Sequence, residues 1–173
     1  MKEEIFKVGI LSDTHSHIDD RILHHLQGVD EIWHAGDIGQ LDVTDSLARI
    51  APVRAVYGNI DCHLVRATFP EWQRIDVAGL SVHMVHIGGR PGRYAAGIRQ
   101  HLSLERPDVF ICGHSHLLRV ERDESWGGLY INPGAAGLHG MHKTRTILSL
   151  EFSASKISQM KVVELGPRVR PIS

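Results

Sequence analysis

The segment IFKVGILSDTH, at residues 5–15, is a hydrophobic run that ends in polar residues. Its apolar part, Ile5 to Leu11, predicts a buried strand. Asp13 and His15 follow at the point where that strand would end. Open α/β sheets hold their ligand sites outside the carboxyl ends of their strands. This segment therefore predicts both a sheet and a functional site at its edge.

The same arrangement, an apolar run followed by a polar motif, recurs four more times along the chain. Because each motif follows a predicted strand, the motifs should meet at one edge of the fold. Together they predict a single site. The four further motifs are Gly36-Asp37, Gly58-Asn59-Ile60-Asp61, His86 and Gly113-His114-Ser115-His116.

Aspartate and histidine in these motifs suit a divalent transition metal, which prefers imidazole nitrogen and carboxylate oxygen. Asp13 and His15 are two residues apart, and His114 and His116 repeat that spacing. If each strand runs straight into its loop, both side chains of a pair point the same way, because strand side chains alternate. The spacing therefore predicts paired metal ligands.

Glycine precedes two further candidate ligands, Asp37 and Asn59. We expect Gly36 and Gly58 to let the chain turn sharply and present these ligands beyond the strand ends. The set holds more ligands than one tetrahedral ion needs, and Asp37 is the natural bridge between two ions. Two ions about 3.5–4 Å apart can activate a water and clamp the oxygens of a phosphoryl group. This chemistry predicts phosphoester hydrolysis.

Composition limits the other classes of function. The chain has 173 residues and a net charge of -1, from 19 basic and 20 acidic residues. The absence of a broad basic stripe gives no strong nucleic-acid signal. The charged segment Met1 to Lys7 is unlike a secretory leader, and no run approaches the roughly 18 apolar residues of a membrane span. We expect a cytoplasmic protein with no membrane partner and with Cys62 and Cys112 reduced.

Hydrophobic periodicity predicts one domain, residues 1–173, with a core at about 5–165 and an extended tail at 166–173. Alternating strands and helices in the first half predict a parallel sheet, and the second half predicts a largely antiparallel one. Helices should lie outside both sheets. The predicted strands are 5–11, 31–33, 53–57, 74–78, 80–86, 109–112, 117–122, 129–132, 145–152 and 157–163, and the helices run from Asp19 or Asp20 to Gly28, over 42–50 and over 92–103.

Taken in order, Asp-x-His, Gly-Asp, Gly-Asn-x-Asp, a single His and Gly-His-x-His resemble the motifs of the calcineurin-like metallophosphoesterase superfamily. The segments Ser12-Asp13-Thr14-His15 and Asn132-Pro133-Gly134 resemble its compact YfcE-like phosphodiesterase branch, whose fold is similar to Vps29. The resemblance covers roughly residues 5–165. It implies a four-layer α/β/β/α sandwich of two mixed sheets flanked by helices.

The resemblance also implies a dinuclear centre, in which a hydroxide bridging two ions attacks phosphorus in line. Manganese is the ion that the resemblance favours, and iron, nickel or zinc would suit the same ligands. Among the ligands, Asp37, Asn59 and His114 are the predicted catalytic residues. By resemblance, Asp13, His15, Asp37 and His116 hold one ion, and Asp37, Asn59, His86 and His114 hold the other.

One position departs from the family pattern. Many members carry histidine where this chain has Ile60, and isoleucine can neither stabilise a phosphate nor protonate a leaving group. His17 or His63 is a candidate for a partial substitute. We expect Asp61 to accept a hydrogen bond that orients a neighbouring ligand.

Other residues have two interpretations from sequence alone. Arg90 or Arg93 either reaches a phosphate or belongs to a plain turn, and His139 either faces substrate or lies on a surface loop. Cys112 is expected to be a buried small hydrophobe. Five other histidines are expected to be structural, because no site motif surrounds them. They are His24, His25, His34, His83 and His101.

The favoured function is hydrolysis of a small-molecule phosphoester, most specifically a phosphodiester. One alternative is a catalytically weak or inactive Vps29-like scaffold for protein interactions, but all the candidate ligands are present here. The other alternative is a phosphomonoesterase or nucleotide hydrolase of the same superfamily. A homo-oligomer is left open, with an exposed Trp72 or Trp126 as a candidate contact.

Overall fold

The computed structural model describes residues 4–169 and shows two five-stranded sheets packed face to face, with helices on both outer faces. The predicted four-layer sandwich of two mixed sheets is confirmed. The strands are β1 (Phe6–Leu11), β2 (Glu31–His34), β3 (Val53–Ala55), β4 (Trp72–Val77), β5 (Leu80–Val85), β6 (Gly89–Arg90), β7 (Arg93–Tyr94), β8 (Val109–Ile111), β9 (Leu118–Asp123), β10 (Gly128–Pro133), β11 (Thr144–Ser153) and β12 (Lys156–Pro167). The helices are α1 (Asp20–His25), α2 (Leu41–Ala48), α3 (His63–Thr68) and α4 (Ile98–Glu105).

The two large sheets share one pattern of strand directions. The first has the order β12-β11-β1-β2-β3 and the second β4-β5-β8-β10-β9. Strands β1, β2 and β3 are parallel, and so are β5, β8 and β10, while the remaining pairs are antiparallel. The expectation of one parallel and one largely antiparallel sheet was therefore wrong. Hydrophobic periodicity reports strands, but it does not report which distant strand each one pairs with.

Strand β1 shows how the layers are built. Val8 and Ile10 are fully buried in the cluster between the two sheets. Gly9 faces the opposite way, toward α1, where a Cβ atom would lie 2.2 Å from Leu26 Cδ2. Only a glycine lets the helix lie this close to the strand, so the β1 sequence sets the spacing of the outer layer.

The second sheet is buried on both faces in the same way. Val109 and Ile111 of β8 face the space between the sheets, while Phe110 and Cys112 pack with Tyr130 beneath α4. Cys112 is fully buried, as expected, and burial raises the pKa of its thiol to about 12. The thiol is therefore protonated at neutral pH and packs as a small apolar group.

Three features in the middle of the chain differ from what the sequence predicted. The helix expected over 92–103 begins only at Ile98, because residues 93–94 form β7 and Gly97 has a φ of 79°. Helix α3 was not predicted, since Val65 is its only buried residue and it carries no periodic apolar face. Trp126 is 7% exposed and packs inside the fold, so it cannot serve as the expected exposed contact.

The predicted cap of α1 and the predicted hairpin are both present. Asp19 caps α1, accepting a 3.0 Å hydrogen bond from the Ile22 N–H. The hairpin around Gly79 forms, with Ala78 and Gly79 both at positive φ. Residues 166–167 of the predicted tail end β12, and residues 170–173 lie outside the described part of the chain. Within residues 4–169, no helix is long and apolar enough to cross a membrane.

Candidate metal centre

The loops that follow β1, β2, β5 and β8 meet at one edge of the sandwich. The Asp13 N–H donates to the Gly36 carbonyl at 2.9 Å, which joins the first two loops. The Gly113 N–H donates to the His86 carbonyl at 3.0 Å, which joins the other two. Between the two sheets, His86 Nδ1 bonds the Ala35 carbonyl at 2.8 Å and the His114 N–H donates to Asp13 Oδ2 at 3.1 Å. The polar motifs of both sheets therefore lie side by side, as strand-end motifs should.

Six of the seven predicted ligands fall into two clusters. In each cluster, one ligand atom per residue lies within 4.8 Å of the others. The seventh, Asn59, places its Oδ1 3.2 Å from His86 Nε2. The first ligand group is Asp13, His15 and His116, and the second ligand group is Asp37, His86 and His114.

Asp37 lies between the two groups. Its Oδ1 is 3.1 Å from His86 Nε2 in the second group, and its Oδ2 is 3.5 Å from His15 Nε2 in the first. The residue is 2% exposed, and the Ile60 N–H donates to Oδ1 at 3.1 Å. One carboxylate therefore presents an oxygen to each group, which is the geometry that a bridging ligand requires.

The charges in the centre are coupled. Burial acts to raise the pKa of Asp37, but the hydrogen bond and charge of His86, the Ile60 N–H and His15 together outweigh it and hold that pKa below its ordinary value. Burial also acts to lower the pKa of His86, yet its bond to Asp37 and the negative Asp13 raise that pKa overall. The His116 pKa is raised by its contact with Asp13, whose Oδ1 is 3.2 Å from Nε2. The Asp37 carboxylate is thus held ionised among imidazoles, and its negative charge attracts cations.

Two histidines test whether these donors fit a metal ion. Burial lowers the pKa of His15, and its buried Nε2 has no hydrogen-bond partner within residues 4–169. The 3.5 Å approach of Asp37 Oδ2 lacks hydrogen-bond geometry, so this nitrogen stays unsatisfied, a state that is costly in a folded protein. His86 bonds the Ala35 carbonyl through Nδ1 at 2.8 Å, which leaves Nε2 directed at the second group. Both arrangements fit coordination of a divalent ion.

The ligands are presented by left-handed backbone and not by strand alternation. The expectation that Asp13 and His15 point the same way as alternating strand residues was therefore wrong. Such φ values cost roughly 1–3 kcal/mol each in residues other than glycine and concentrate at functional sites. The affected ligands are Asp13 (φ 55°), His15 (46°), Asp37 (53°), His114 (68°) and His116 (59°).

The glycines before Asp37 and Asn59 have different roles. Gly36 has a φ of 94° and turns the chain, as expected. Gly58 is not at positive φ, so its expected turning role was wrong. A Cβ atom there would lie 2.0 Å from Asp37 Oδ1, so glycine makes room for the central carboxylate.

Asp61 holds two ligand loops together. Its carboxylate accepts hydrogen bonds from the N–H groups of Gly39 and Gly58 at 2.7 Å each, and from Ile38 at 3.1 Å. Ile38 and Gly39 follow Asp37 in the chain, and Gly58 precedes Asn59. Asp61 thus accepts hydrogen bonds from the backbone of the ligand loops, and not from a ligand side chain.

The remaining candidate residues are divided. His139 lies next to the first group, with its ring centroid 4.7 Å from that of His15. His17 is paired with Asp19 instead, at 3.1 Å, and belongs to neither ligand group. His63 is exposed at the start of α3, and Arg90 is exposed on β6.

Two neighbouring histidines support the centre from outside. His34, expected to be structural, is fully buried, and desolvation lowers its pKa to about 4. It binds Thr14 Oγ1 at 2.9 Å and accepts from the Gly36 N–H at 3.2 Å, which fixes both loops. His142, which no sequence motif marks, lies with its ring centroid 5.3 Å from that of His116.

Cavity size alone does not locate this centre. A cavity of about 610 Å³, larger than those beside the centre, is lined by Phe6 and Glu31 at the amino ends of β1 and β2. Two smaller cavities flank the second ligand group. One of about 320 Å³ includes Asn59 and His86, and one of about 370 Å³ includes His114.

Comparison with known proteins agrees with the fold and the motifs. The family model described as a calcineurin-like phosphoesterase superfamily domain matches residues 6–155. A probable metallophosphoesterase of Methanothermobacter thermautotrophicus is 31% identical over 134 residues, covering 74% of this chain and 76% of that protein.

Two solved structures share the fold. Vacuolar protein sorting 29 of Cryptosporidium parvum has a TM-score of 0.73 at 15% identity, covering 92% of this chain and 96% of that one. A structure described as a novel archaeal phosphodiesterase has a TM-score of 0.71 at 21% identity, covering 92% and 99%. Since the family model spans most of the chain, this protein belongs to the calcineurin-like phosphoesterase superfamily.

Proposed function

We propose that the protein is a dinuclear metal-dependent phosphodiesterase. The observation that carries this proposal is the position of Asp37, whose two oxygens lie 3.1 Å and 3.5 Å from histidine nitrogens of different ligand groups. A single-ion site would not need two clusters of three ligands with a carboxylate between them. The family match supports a phosphoester substrate.

The residues have separate tasks in this proposal. Asp13, His15 and His116 hold one ion, Asn59, His86 and His114 the other, and Asp37 both. Ions bound there would lower the pKa of a water and supply positive charge to phosphoryl oxygens. Manganese is favoured by resemblance, and the imidazole and carboxylate donors also suit iron, nickel or zinc. His114 and Asn59 are exposed, so substrate can reach the second group from solvent.

The leaving group that the enzyme prefers distinguishes the proposed phosphodiesterase from the phosphomonoesterase alternative. Ile60 is 45% exposed beside Asn59 and has no proton to give a departing oxygen. We therefore expect bis-aryl phosphodiesters, whose leaving groups depart as stable anions, to be better substrates than alkyl phosphomonoesters. Faster cleavage of the monoesters would favour the phosphomonoesterase alternative.

The scaffold alternative rests on the shared fold with vacuolar protein sorting 29. That likeness concerns the fold alone, and a scaffold has no need of strained, buried ligand loops. The unsatisfied His15 Nε2 and the five left-handed ligand residues are costs that metal binding and catalysis would explain.

The proposal is tested by steady-state rates on bis(p-nitrophenyl) phosphate with manganese, with and without a chelator. We expect chelation to abolish turnover and His114→Ala to reduce it about 100-fold or more. His24→Ala, at an exposed histidine of α1, is the matched control and should retain full activity. Turnover that survives both chelation and His114→Ala would contradict the proposal.

A further inference from the structure

The short β6–β7 hairpin beside the second ligand group carries two arginines. Arg90 and Arg93 are directly opposed partners across the hairpin. Pro91 and Gly92 make its two-residue turn, and Gly92 has the positive φ of 79° expected at the second turn position. Because directly opposed residues lie on the same face, the two guanidinium groups share one side of the hairpin.

Neither arginine of this pair is bonded to a carboxylate among the described residues. Both side chains are exposed, and neither makes an ion pair or side-chain hydrogen bond within residues 4–169. By contrast, Arg54, Arg119 and Arg145 are each paired with a carboxylate. Like charges directly opposite each other destabilise a strand pair, so folding does not account for them. An anion between the two would remove that repulsion.

The hairpin is attached to β10 and closed at its base by two hydrogen bonds. The Tyr130 hydroxyl donates to the Gly89 carbonyl at 2.7 Å, and the Ala95 N–H donates to the Gly88 carbonyl at 3.0 Å. Both arginines line the 370 Å³ cavity that also contains His114. A ligand on this pair would therefore occupy the same cavity as a ligand of the second group.

The cavity on the other side of the second group has a different character. Its walls include the aromatic rings of Tyr57 and Trp72. Its one arginine, Arg66, is already engaged, since it donates to the carbonyls of Asp61 at 2.8 Å and Asn59 at 3.1 Å and lies over the Tyr57 ring. No unpaired basic group of the described residues lines this second cavity. Both cavities have aromatic walls, since Tyr94 and Tyr130 line the first, so the two sides of the centre differ in charge: one holds the two unpaired arginines and the other holds Glu71.

We propose, on the basis of the proposed function, that the substrate is an asymmetric phosphodiester that carries a second phosphate on one arm. The second phosphate binds Arg90 and Arg93, whose guanidinium groups suit phosphate oxygens. The scissile phosphate lies at the metal centre, and the other arm enters the cavity of Tyr57 and Trp72, which has no unpaired basic group among the described residues. Hydrolysis adds water across one P–O ester bond and releases an alcohol and a phosphomonoester.

The test compares two diesters with the same p-nitrophenyl leaving group. The second arm is 3-hydroxypropyl in one and 3-phosphooxypropyl in the other. With the manganese-loaded full chain, we expect kcat/KM to favour the phosphorylated arm by about tenfold or more, mainly through KM. In the double variant Arg90→Gln, Arg93→Gln this ratio should fall to near one. Arg49→Gln, at another exposed and unpaired arginine, should keep the wild-type ratio.

Several outcomes separate this inference from the function on which it rests. If the wild type hydrolyses both diesters with nearly equal kcat/KM, the inference is overturned and the proposed phosphodiesterase function stands. A double variant that retains the preference, or that loses activity equally with both diesters, would also overturn it. Failure of the wild type to hydrolyse either diester would overturn the proposed function itself. Added salt should raise KM for the phosphorylated arm more than for the neutral arm, because it screens exposed charges.

Discussion

The two ligand groups differ in how far hydrogen bonds within the protein already position their histidines. In the second group, His86 is 2% exposed, and both its ring nitrogens have partners, the Ala35 carbonyl and Asp37. In the first group, the buried Nε2 of His15 has no hydrogen-bond partner among the described residues, and its ring lies beside the exposed His139. The second group is therefore pre-organised, whereas the first depends on its ligand for completion. We expect the second group to bind the first ion.

The largest effect should follow a change in the residue that joins the groups. Asp37→Asn keeps the shape of the side chain but removes the charge near His15 and His86. We expect turnover of a bis-aryl diester to fall about 100-fold or more, since even outer partners of metal ligands cost 10–100-fold. Steady-state rates across a manganese titration measure this.

The matched control for that change is Asp45→Asn, at an exposed aspartate of α2. It should leave turnover unchanged. Near-normal activity of Asp37→Asn at limiting manganese would break the comparison, because the two groups would then work without their common carboxylate.

Asp61→Asn sharpens the comparison, since Asp61 supports only the loops that carry Asp37 and Asn59. One oxygen that accepts from backbone N–H groups would become an NH₂ donor facing them. We expect turnover to fall about 10–100-fold and the free energy of unfolding to fall by about 1–3 kcal/mol. Denaturant unfolding alongside kinetics measures both, and Asp76→Asn, at an exposed aspartate of β4, is the control. Unchanged turnover would show that these loops do not need the Asp61 carboxylate.

A smaller effect is expected at the edge of the second group. Among the described residues, the Asn59 side chain bonds only His86, at 3.2 Å, so Asn59→Ala should weaken the binding of one ion and lower turnover about tenfold. High manganese should restore most of the loss, whereas Asp37→Asn should recover little. Equal rescue of the two variants would remove the distinction between a ligand of one ion and a ligand of both.

The smallest effect concerns the loop of the first group, which Asp19 anchors. Burial acts to raise the Asp19 pKa, but Arg145, 2.9 Å away, and the Ile22 N–H together lower it from 3.8 to about 2. The folded pKa is below the unfolded one, so this stabilisation is present above about pH 3.8 and is lost as pH falls toward 2.

The Asp19 interaction should contribute on the order of 1–2 kcal/mol, because the carboxylate is partly exposed. Asp19→Asn retains the helix cap and should flatten the fall in stability between about pH 4 and pH 2. Urea unfolding at several pH values measures the slope, with Asp20→Asn as the control. A slope identical to wild type would show that Asp19 carries no such coupling.

The sequence was informative about the site because the motifs are local and each follows an apolar strand. Six of its seven ligands lie in the two groups, and Asn59 lies beside them. What it could not report depends on contacts between distant segments. The reason for glycine at position 58 is the Asp37 carboxylate, and the role of His142 depends on a loop that folds back onto His116.

The sequence did not predict the backbone strain or the strand pairing, for a related reason. Residues other than glycine adopt left-handed φ values in only a few per cent of cases, so the sequence predicted strand alternation where Asp13 and His15 form a tight loop. The direction of β8 and β10 beside β5 is set by packing of the two sheets, which periodicity does not encode.

The central claim, two metal sites joined by Asp37, is tested most directly by counting bound manganese per chain. Elemental analysis after loading and desalting would compare wild type with His116→Ala, which alters the first group, and Asp37→Asn, which alters both. We predict close to two ions in wild type, close to one in His116→Ala and fewer than one in Asp37→Asn. A wild-type protein that binds at most one ion, or an Asp37→Asn variant that retains two, would contradict the claim.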